Sequence, residues 1–456
     1  MSRHQYIPNS VPEIKREMLE EIGIESVDEL FASIPESIRF KGTLDLPPQT
    51  PEMEVQKHVS SILGKNTTGR EMLSFLGGGC WQHYVPAACD EINARSEFLT
   101  AYTGDVYSDL GRYQALWEFQ SMIGELVSMD AVSFPTYSWA TAAGDAVRMA
   151  AIVAGRDKIL LPETVGPYRL SVIKSHCSDL AEVVEIPKDP STGGMNLSAL
   201  EKELDSDTAA IYLENPSYYG FIETQAPEIG ELAHEHGALF TVGVEPLSLG
   251  LIQGPGDYGA DIVCGEGQPL GLHPSFGGAL LGFLTFKDKE EYMAATGHRI
   301  ITITTTQKEG EKGFAYVLPH STMFGAREKA ASYTGTATVL WAITAAVYMS
   351  LLGPKGITEI AQTIAERTKY ATKRLSEIEG IQSPIFSLPH FKDFTVNFTE
   401  SGKTVEQVNK ALLKHGIQGG KDLEYEGLDN TALYSVTEIH TKEDIDKLAH
   451  ALEEVL

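Results

Sequence analysis

A glycine-rich turn followed by a histidine and a tyrosine has residue types and spacing that could do chemistry. Gly77, Gly78 and Gly79 permit positive φ angles and close backbone approach. His83 and Tyr84 follow them and supply a titratable ring and a phenol. These residues predict a site for a stacked or hydrogen-bonded ligand. The alternative is a buried turn around a histidine whose ring nitrogens are satisfied.

The residue types that bind metals or form disulfides are scattered along the chain. Cys80, Cys89, Cys177 and Cys264 include no C-x-x-C pair. This spacing favours structural thiols in a reducing cytosol over a zinc site or a disulfide framework. The histidines show no recognised metal-binding motif, so we expect no metal.

The elements that would position a site alternate between short apolar runs and helical stretches. The runs AVSF, KILL, AAIYL, ALFTVG, ADIVCG and ALLGFLTF predict strands. Ala142 to Ala154 and Ile229 to His236 predict crossover helices between them. This alternation is typical of a doubly wound, mostly parallel sheet with helices on both faces, which is an α/β fold.

The two ends of the chain differ from this central part. Capping boxes at Ser10 with Glu13, and at Ser26 with Glu29, predict short helices in an N-terminal arm. The uncharged stretch Thr336 to Leu352 predicts a buried helix rather than a membrane span. After it, helices and the strands FTVNF and ALYSV predict a small α+β unit. We therefore expect an arm at 1–80, a large α/β domain at 81–335, and a connecting helix with the small domain at 336–456.

The amino-acid composition and net charge disfavour some classes of binding partner. Hydrophobic residues make up 42% and charged residues 22% of the chain, as in soluble globular proteins. The formal net charge of -27 disfavours nucleic acid and anionic membranes, which are bound by clustered lysine and arginine. The N-terminal MSRHQYIPNS lacks the apolar core of a signal peptide, so we expect a cytoplasmic protein.

Several segments resemble one known family over the length of the chain. They are HQYIPNS, LDLPPQTPEMEVQKH, SFLGGGCWQHYVPA, SEFLTAYT, EPLSLGLIQGPGDYGADIVCGEGQPLG, SFGGALLGF and YMSLLGPKGITEIA. The chain resembles the N-terminal, or alpha, subunit of the split glycine decarboxylase, the P-protein of the glycine cleavage system. The resemblance implies a fold-type I, aspartate aminotransferase-like architecture that uses pyridoxal phosphate. It also implies a beta-type partner subunit in an alpha2beta2 assembly, glycine as substrate, and the lipoyl H-protein as acceptor of the aminomethyl group.

In catalytic relatives an aspartate holds the pyridinium proton, and a lysine after the next strand forms the Schiff base. Alignment with such relatives puts Val242 at the aspartate position and Pro269 at the lysine position. Valine cannot hold a proton, and proline has no amine. The resemblance thus predicts that the partner subunit holds the cofactor and that none is attached to this chain.

The family's phosphate-binding turn corresponds to Ser133 to Ala143, where Trp139 replaces a glycine and predicts a filled cup. The resemblance also nominates residues that could line the partner's site, although the segments that contain several of them depart from the family pattern. These candidates are His83, Tyr84, Tyr102, Thr103, Gly111, Glu266, Gln268, Arg327 and Lys329. We expect a catalytically silent alpha-type subunit that helps its partner decarboxylate glycine. The alternative is a divergent non-catalytic paralogue with an interaction or regulatory role.

Overall fold

The computed structural model of the chain describes residues 11–42, 44–69, 71–98, 112–275, 281–317, 319–330, 332, 337–424 and 428–456. The chain forms two compact units, Met1–Thr67 and Thr68–Leu456.

The first unit consists of short helices joined by extended chain. They are α1 (Pro12–Ile22), a 3-10 helix (Val27–Phe31) and α2 (Glu52–Leu63). Helix α1 ends at Gly23, whose left-handed backbone needs the freedom of glycine. Ser26 and Glu29 form the predicted capping box. The N-cap of α1 is Val11, whose side chain makes no capping bond, and Ser10 of the other predicted box lies outside the described residues.

The second unit contains the remaining helices and the strands. The strands are β1 (Leu73–Ser74), β2 (Ala131–Val132), β3 (Lys158–Pro162), β4 (Glu182–Ile186), β5 (Thr208–Glu214), β6 (Leu239–Val244), β7 (Ile262–Glu266), β8 (Gly282–Phe286), β9 (Ile300–Thr305), β10 (Lys312–Val317), β11 (Asp393–Asn397), β12 (Ile417–Gln418), β13 (Lys421–Asp422) and β14 (Thr431–Ser435). The helices are α3 (Ala87–Asn93), α4 (Tyr113–Val127), α5 (Trp139–Ala154), α6 (Pro167–Cys177), α7 (Leu197–Glu203), α8 (Ala226–Glu235), α9 (Glu290–Ala295), α10 (Met323–Ala326), α11 (Ala337–Ser376), α12 (Val405–Leu412) and α13 (Lys442–Val455).

A seven-stranded sheet in the order β2-β8-β7-β6-β5-β3-β4 forms the centre of this unit. Strand β8 pairs antiparallel with both neighbours, and the other pairings are parallel. Since β8 reverses direction between β2 and β7, strand β2 runs the same way as the parallel strands. The carboxyl ends of β2, β3, β5, β6 and β7 therefore meet at one edge, as in the predicted doubly wound fold.

Alternate residues of the strands supply two apolar cores, one for each face of the sheet. Helices α4, α8 and α11 pack on one face, and α5 and α6 pack on the other. Strand β5 is buried along its whole length, which explains its nearly continuous apolar sequence AAIYL. Strand β4 escaped the sequence prediction because it lies at the edge of the sheet and has glutamates among its valines. The hairpin β9-β10 was also not predicted.

Helix α11 includes most of the predicted buried helix and continues beyond it through a kink at Gly353, whose φ is 60°. By length and composition alone this helix could cross a membrane. Its Val339, Ala342 and Ala345 are fully buried against the sheet, which confirms the predicted buried helix. The apolar character of the segment thus serves the protein core.

The C-terminal part has its own small sheet, β11-β14-β13, packed with α12 and α13. Strand β1 pairs with β12, and Phe75 is fully buried in the same core. Residues from Leu73 onward therefore belong to the second unit. This pairing explains why the compact units divide after Thr67, before the predicted end of the arm at residue 80.

Candidate functional site

The carboxyl edge of the large sheet is the place where an α/β protein of this topology binds ligands. Here the edge is filled by side chains from the large sheet and from segments nearer both ends of the chain. A cavity of about 20 Å³ remains, and Trp81, Trp139, Arg169, Glu245 and Lys392 are among its lining residues. Such a volume holds about one water molecule.

Helix α5 begins at this edge, directly after β2. The side chain of Ser138 caps it by accepting a hydrogen bond from the backbone N–H of Thr141. The backbone N–H of Trp139 donates to the Glu266 carboxyl at 3.3 Å, and that of Gln268 donates to the same group at 3.1 Å. The chain's own carboxyl group therefore occupies the helix N-terminus, where a phosphate would otherwise be favoured. Burial raises the pKa of Glu266 to about 8.

A buried arginine covers the Trp139 ring. The Arg169 Cζ atom lies 4.0 Å from the centre of that ring. Its Nε and Nη2 atoms donate to the two carboxylate oxygens of Glu214 at 2.5 and 2.6 Å. Arg169 follows β3 and Glu214 ends β5, so this bidentate pair links two neighbouring strands. The strand order of the sheet changes direction between these two strands. Burial opposes the charge on Arg169, yet the facing Glu214 keeps its pKa above the usual value.

The indole of Trp139 fits because β6 has a glycine beneath it. A Cβ atom on Gly243 would lie 2.7 Å from the indole Nε1 and 2.5 Å from the Tyr212 hydroxyl. Val242, the preceding residue, is fully buried in the core on the opposite side. The sequence VGV in β6 thus places its smallest residue under the largest side chain of the site.

A chain of four charged or titratable groups crosses the cleft beside this stack. The Lys392 Nζ atom donates to Glu245 at 2.7 Å and contacts the His83 Nε2 atom at 2.9 Å. The His83 Nδ1 atom lies 2.7 Å from a Glu438 carboxylate oxygen. Burial, followed by the neighbouring Lys392, lowers the pKa of His83. A neutral His83 therefore donates through Nδ1 and accepts from Lys392 through Nε2.

This chain of groups ties together three parts of the second unit. Glu245 follows β6 of the large sheet, Lys392 precedes β11 of the small sheet, and Glu438 follows β14. Lys392 also lies 4.2 Å from the centre of the Trp81 ring, a favourable cation–π position. The arrangement fixes the small sheet against the large one across the cleft.

A second contact supports the same closure. The Trp81 Nε1 atom donates to the Asp393 carboxyl at 3.0 Å. Burial raises the pKa of Asp393 to about 7. Gln268 holds the Trp81 backbone from the other side, accepting from its N–H at 3.1 Å and donating to its C=O at 2.9 Å. Trp81 is thus fixed at both its ring and its backbone.

The residues that line this cleft leave no room for pyridoxal phosphate. Pockets for ligands of cofactor size measure about 300 Å³ or more, far above the 20 Å³ found here. The α5 N-terminus is covered by Trp139 and satisfied by Glu266. Pro269 follows β7 and is buried, and it offers no amine. The alignment of Val242 and Pro269 with the catalytic aspartate and lysine stays a prediction.

The structure brings only some of the predicted site residues together. His83, Glu266 and Gln268 lie in or beside the cleft, whereas the Tyr84 side chain is exposed. The partners of His83 agree with the alternative of a satisfied, buried histidine. The glycine turn serves close packing, because a Cβ atom on Gly77 would meet the Asp393 carboxylate at 2.7 Å.

The remaining predicted site residues lie elsewhere. Arg327 and Lys329 are exposed in a 3-10 turn after α10. Tyr102, Thr103 and Gly111 lie outside the described residues.

Sequence reasoning missed the residues that close the cleft, namely Arg169, Glu214, Glu245, Lys392 and Glu438. A usable signal was present, since Glu214 and Glu245 each follow an apolar run that predicts a strand. Charged residues at strand ends usually have a partner at the same edge. The identity of that partner could not be read from the sequence.

The other titratable groups suggest no second centre. Among the described residues no group of three or more His, Cys, Asp or Glu side chains is arranged to hold a metal ion. Cys89, Cys177 and Cys264 are buried, and Cys80 is partly buried. Burial raises the pKa of the Cys80 thiol to about 12. The thiols are therefore poor nucleophiles.

Comparison with known proteins identifies the family. The model of the glycine cleavage system P-protein family matches residues 4–452. A probable glycine dehydrogenase (decarboxylating) subunit 1 from Staphylothermus marinus is 38% identical, over 100% of this chain and 99% of the relative. The corresponding protein from Desulfitobacterium hafniense is 37% identical over 99% of each chain.

Solved structures agree with this result. A crystal structure of glycine decarboxylase (P-protein) of the glycine cleavage system, in inhibitor-bound form, has a TM-score of 0.84 and 33% identity, covering 100% of both chains. A sphingosine-1-phosphate lyase from Burkholderia pseudomallei has a TM-score of 0.66 at 14% identity, covering 92% of this chain and 94% of the lyase. The latter supports the predicted fold-type I architecture alone. With its sequence matched from end to end, the chain belongs to the glycine cleavage system P-protein family.

Proposed function

We propose that this chain is the cofactor-free, alpha-type subunit of a two-subunit glycine decarboxylase. A beta-type partner holds pyridoxal phosphate and decarboxylates glycine. The aminomethyl group then passes to the lipoyl arm of the H-protein. The two kinds of subunit form an alpha2beta2 assembly in the cytoplasm. Relatives named subunit 1 that match over their whole length support this assignment.

The observation that carries the proposal is the filled cleft. Trp139 and Arg169 stack where the topology of the sheet would place a ligand, and Lys392 with Glu245 closes the space beside them. A chain that kept its own cofactor would leave this space open. A fold that is retained while its cleft is filled favours a role in supporting a partner's active site.

The exposed cations Arg327 and Lys329 are the side chains that we propose this chain contributes to the partner's site. Arg327 and Lys329 are accessible in the described part of the chain. Each can present a positive charge to glycine's carboxylate or to the cofactor phosphate. We expect Arg327→Gln and Lys329→Gln each to lower turnover by about 10-fold, which corresponds to about 1.4 kcal/mol of transition-state stabilisation. The matched control is Lys355→Gln, at a lysine side chain that is 90% exposed on α11.

The central experiment is reconstitution. The chain is co-expressed with a beta-type subunit, and exchange of labelled bicarbonate into glycine is measured with lipoyl H-protein present. Exchange should require both subunits. A complex without exchange, or a chain that ignores every beta-type subunit, would favour the interaction or regulatory paralogue and would refute the proposal.

A second measurement tests where the cofactor is held. The purified chain is incubated with pyridoxal phosphate, reduced with borohydride and analysed by peptide mass spectrometry. We expect no stoichiometric labelling of any lysine, because the amine of Lys392 is bound to Glu245 and His83. Stoichiometric labelling of Lys392 or any other lysine would place the cofactor on this chain.

A further inference from the structure

Two exposed cations lie on one short loop of the second unit. The Arg327 loop is the segment from Ser321 to Ser332, and the 3-10 turn within it presents Arg327 and Lys329 to solvent. Within the described part of the chain neither cation forms a salt bridge. In a chain with a formal net charge of -27, these two cations are therefore available to an anionic group outside the chain.

The backbone of Arg327 is strained. Its φ is 52°, in the left-handed region that residues with a β-carbon rarely adopt. Such strain persists only where the surrounding structure holds it, and it is found most often at functional sites. Within the turn, the backbone C=O of Arg327 accepts from the N–H of Ala330 at 3.0 Å. Because this bond is local, the loop needs a further restraint at its ends.

Both ends of the loop are fastened to the same buried turn, Thr296 to His298. At the first end the Ser321 hydroxyl donates to the backbone C=O of Thr296. At the second end the Ser332 hydroxyl donates to the Oδ2 atom of Asp145 at 3.0 Å, and His298 Nε2 lies 2.7 Å from the same oxygen. The Asp145 carboxylate thus joins the end of the loop to the turn.

The turn is itself a fixed part of the core. Thr296 and His298 are 1% and 3% exposed. The backbone C=O of Arg299 accepts from the N–H of Phe134 at 2.6 Å, and the Arg299 Cζ atom lies 4.4 Å from the centre of the Phe134 ring. A loop fastened to this turn at both ends cannot move freely relative to the sheet. Lys329 is three residues from the second end, so it stays within about 11 Å of that end.

Asp145 lies on α5 and is charged although it is buried. Burial opposes this charge, yet the neighbouring His298 and His176 keep the pKa of Asp145 below its usual value. The His176 Nδ1 atom lies 3.1 Å from the Oδ1 atom of Asp145. It comes this close because a glycine precedes Asp145, and a Cβ atom on Gly144 would lie 2.7 Å from the His176 ring. The Ser332 hydroxyl therefore donates to a carboxylate, and such a bond is stronger than one between neutral groups.

We propose that Asp145 is a positioning residue for the active site of the two-subunit enzyme. Through Ser332, and together with His298, it holds the Arg327 loop so that the two cations of the loop face a carboxylate or phosphate in the partner subunit's site. The restraint is in place before the substrate binds, so the loop does not have to be ordered during the reaction. This inference rests on the proposed function and adds the group that fixes the loop.

Limited trypsin digestion of the chain alone, followed by peptide mass spectrometry, tests the restraint. Trypsin cleaves after Lys329 when the loop opens, so the cleavage rate measures the open population. Ser332→Ala and Asp145→Asn should each raise this rate by about 10-fold, equivalent to about 1.4 kcal/mol, because a charge-assisted hydrogen bond is lost. The double variant should be cleaved no more than about 2-fold faster than Asp145→Asn, since both changes remove the same contact.

The matched control is Ser376→Ala, because the Ser376 hydroxyl donates to the backbone C=O of Lys373 on α11, outside the loop. This variant should be cleaved after Lys329 at the unmodified rate. The thermal melting of every variant is recorded, so that faster cleavage caused by a loss of global stability is recognised.

If Asp145→Asn melts earlier than the unmodified chain, the two serine variants decide the outcome. Ser332→Ala and Ser321→Ala each remove the hydroxyl at one end of the loop and leave the contact between the aspartate and the histidine in place. Both should raise cleavage after Lys329 without lowering the melting temperature. Unchanged cleavage in both would overturn the inference.

A double-mutant cycle tests whether the restraint acts through the two cations. In the complex with the beta-type subunit, Ser332→Ala should lower the exchange of labelled bicarbonate into glycine by about 5-fold or more, because the cations are displaced. In a chain that already carries Arg327→Gln/Lys329→Gln, it should lower this exchange by less than about 2-fold. Equal losses in both backgrounds would overturn the positioning role.

The two proposals can fail separately. If the unmodified complex shows no exchange, the proposed function fails and the positioning role fails with it, while digestion of the chain alone still decides whether Asp145 restrains the loop. If exchange is present and Ser332→Ala changes neither cleavage nor exchange, only the inference about Asp145 fails.

Discussion

Removal of the amine at the centre of the cleft tests whether the buried ionic chain holds the small sheet against the large one. The Lys392 side chain is 2% exposed and that of its partner Glu245 is 5% exposed. The variant Lys392→Met keeps most of the volume but leaves the Glu245 carboxylate buried without its cation. It also removes the donor to His83 Nε2 and the contact with the Trp81 ring.

Loss of one member of a buried ion pair costs about 3–5 kcal/mol, because the remaining charge stays desolvated. The cation–π contact adds about 1 kcal/mol. We therefore expect the free energy of unfolding to fall by about 4–6 kcal/mol. The double variant Lys392→Met/Glu245→Gln removes both charges and should recover at least about 2 kcal/mol of this loss.

The assay is urea unfolding followed by tryptophan fluorescence and circular dichroism, with Lys355→Met as the control. Lys355 is exposed and pairs with Glu359 across one helical turn, so its removal should cost less than about 0.5 kcal/mol. A Lys392→Met chain within about 1 kcal/mol of the unmodified protein would contradict the assigned role. A double variant as unstable as the single one would show that the charge left on Glu245 is not the cause.

Other predictions concern the α5 stack. Burial raises the pKa of Glu266 from 4.5 to about 8, so the folded protein holds the proton of this carboxyl more tightly than the unfolded chain does. The stability that this protonation contributes is fully present below about pH 4.5 and is lost as the pH rises to about 8. Between pH 5 and 8 the free energy of unfolding of the unmodified protein should therefore fall with a contribution of up to about 1.4 kcal/mol per pH unit from Glu266. The Glu266→Gln variant should lack this contribution in urea unfolding, and an equal slope in both proteins would contradict the burial argument. Gly243→Ala should cost about 1–3 kcal/mol through collision with Trp139, as measured by urea unfolding, and a neutral result would mean that the indole can move aside. Arg169→Met should cost about 3–5 kcal/mol in the same assay by leaving Glu214 unpaired, whereas a loss below about 1 kcal/mol would argue against a tight pair.

Most strands of the large sheet were predictable because they have a strong local pattern. The apolar runs of β5, β6 and β7 are long enough to predict buried strands. The capping box was predictable because Ser26 and Glu29 have the spacing that such a box requires. The edge strand β4 was missed because glutamates interrupt its valines, so its sequence has neither a continuous apolar run nor a clear alternation.

The replacement of a glycine in the turn that corresponds to the family's phosphate-binding turn was also visible in the sequence. Trp139 stands at a position where the family resemblance expects glycine, which already predicts a filled cup. The sequence could not say what the indole would contact. Its neighbours Arg169 and Gly243 come from other strands and helices, and their proximity depends on the order of the strands in the sheet.

The sequence by itself determined the family and the doubly wound fold, and it led to the prediction that the partner subunit holds the cofactor. Those properties reside in local periodicity and in the types of single residues. Only the tertiary structure decided that Lys392, distant in sequence from both His83 and Glu245, completes their hydrogen bonds. Pairing of buried charges is a property of three-dimensional proximity, and no local pattern encodes which carboxylate a lone lysine will meet.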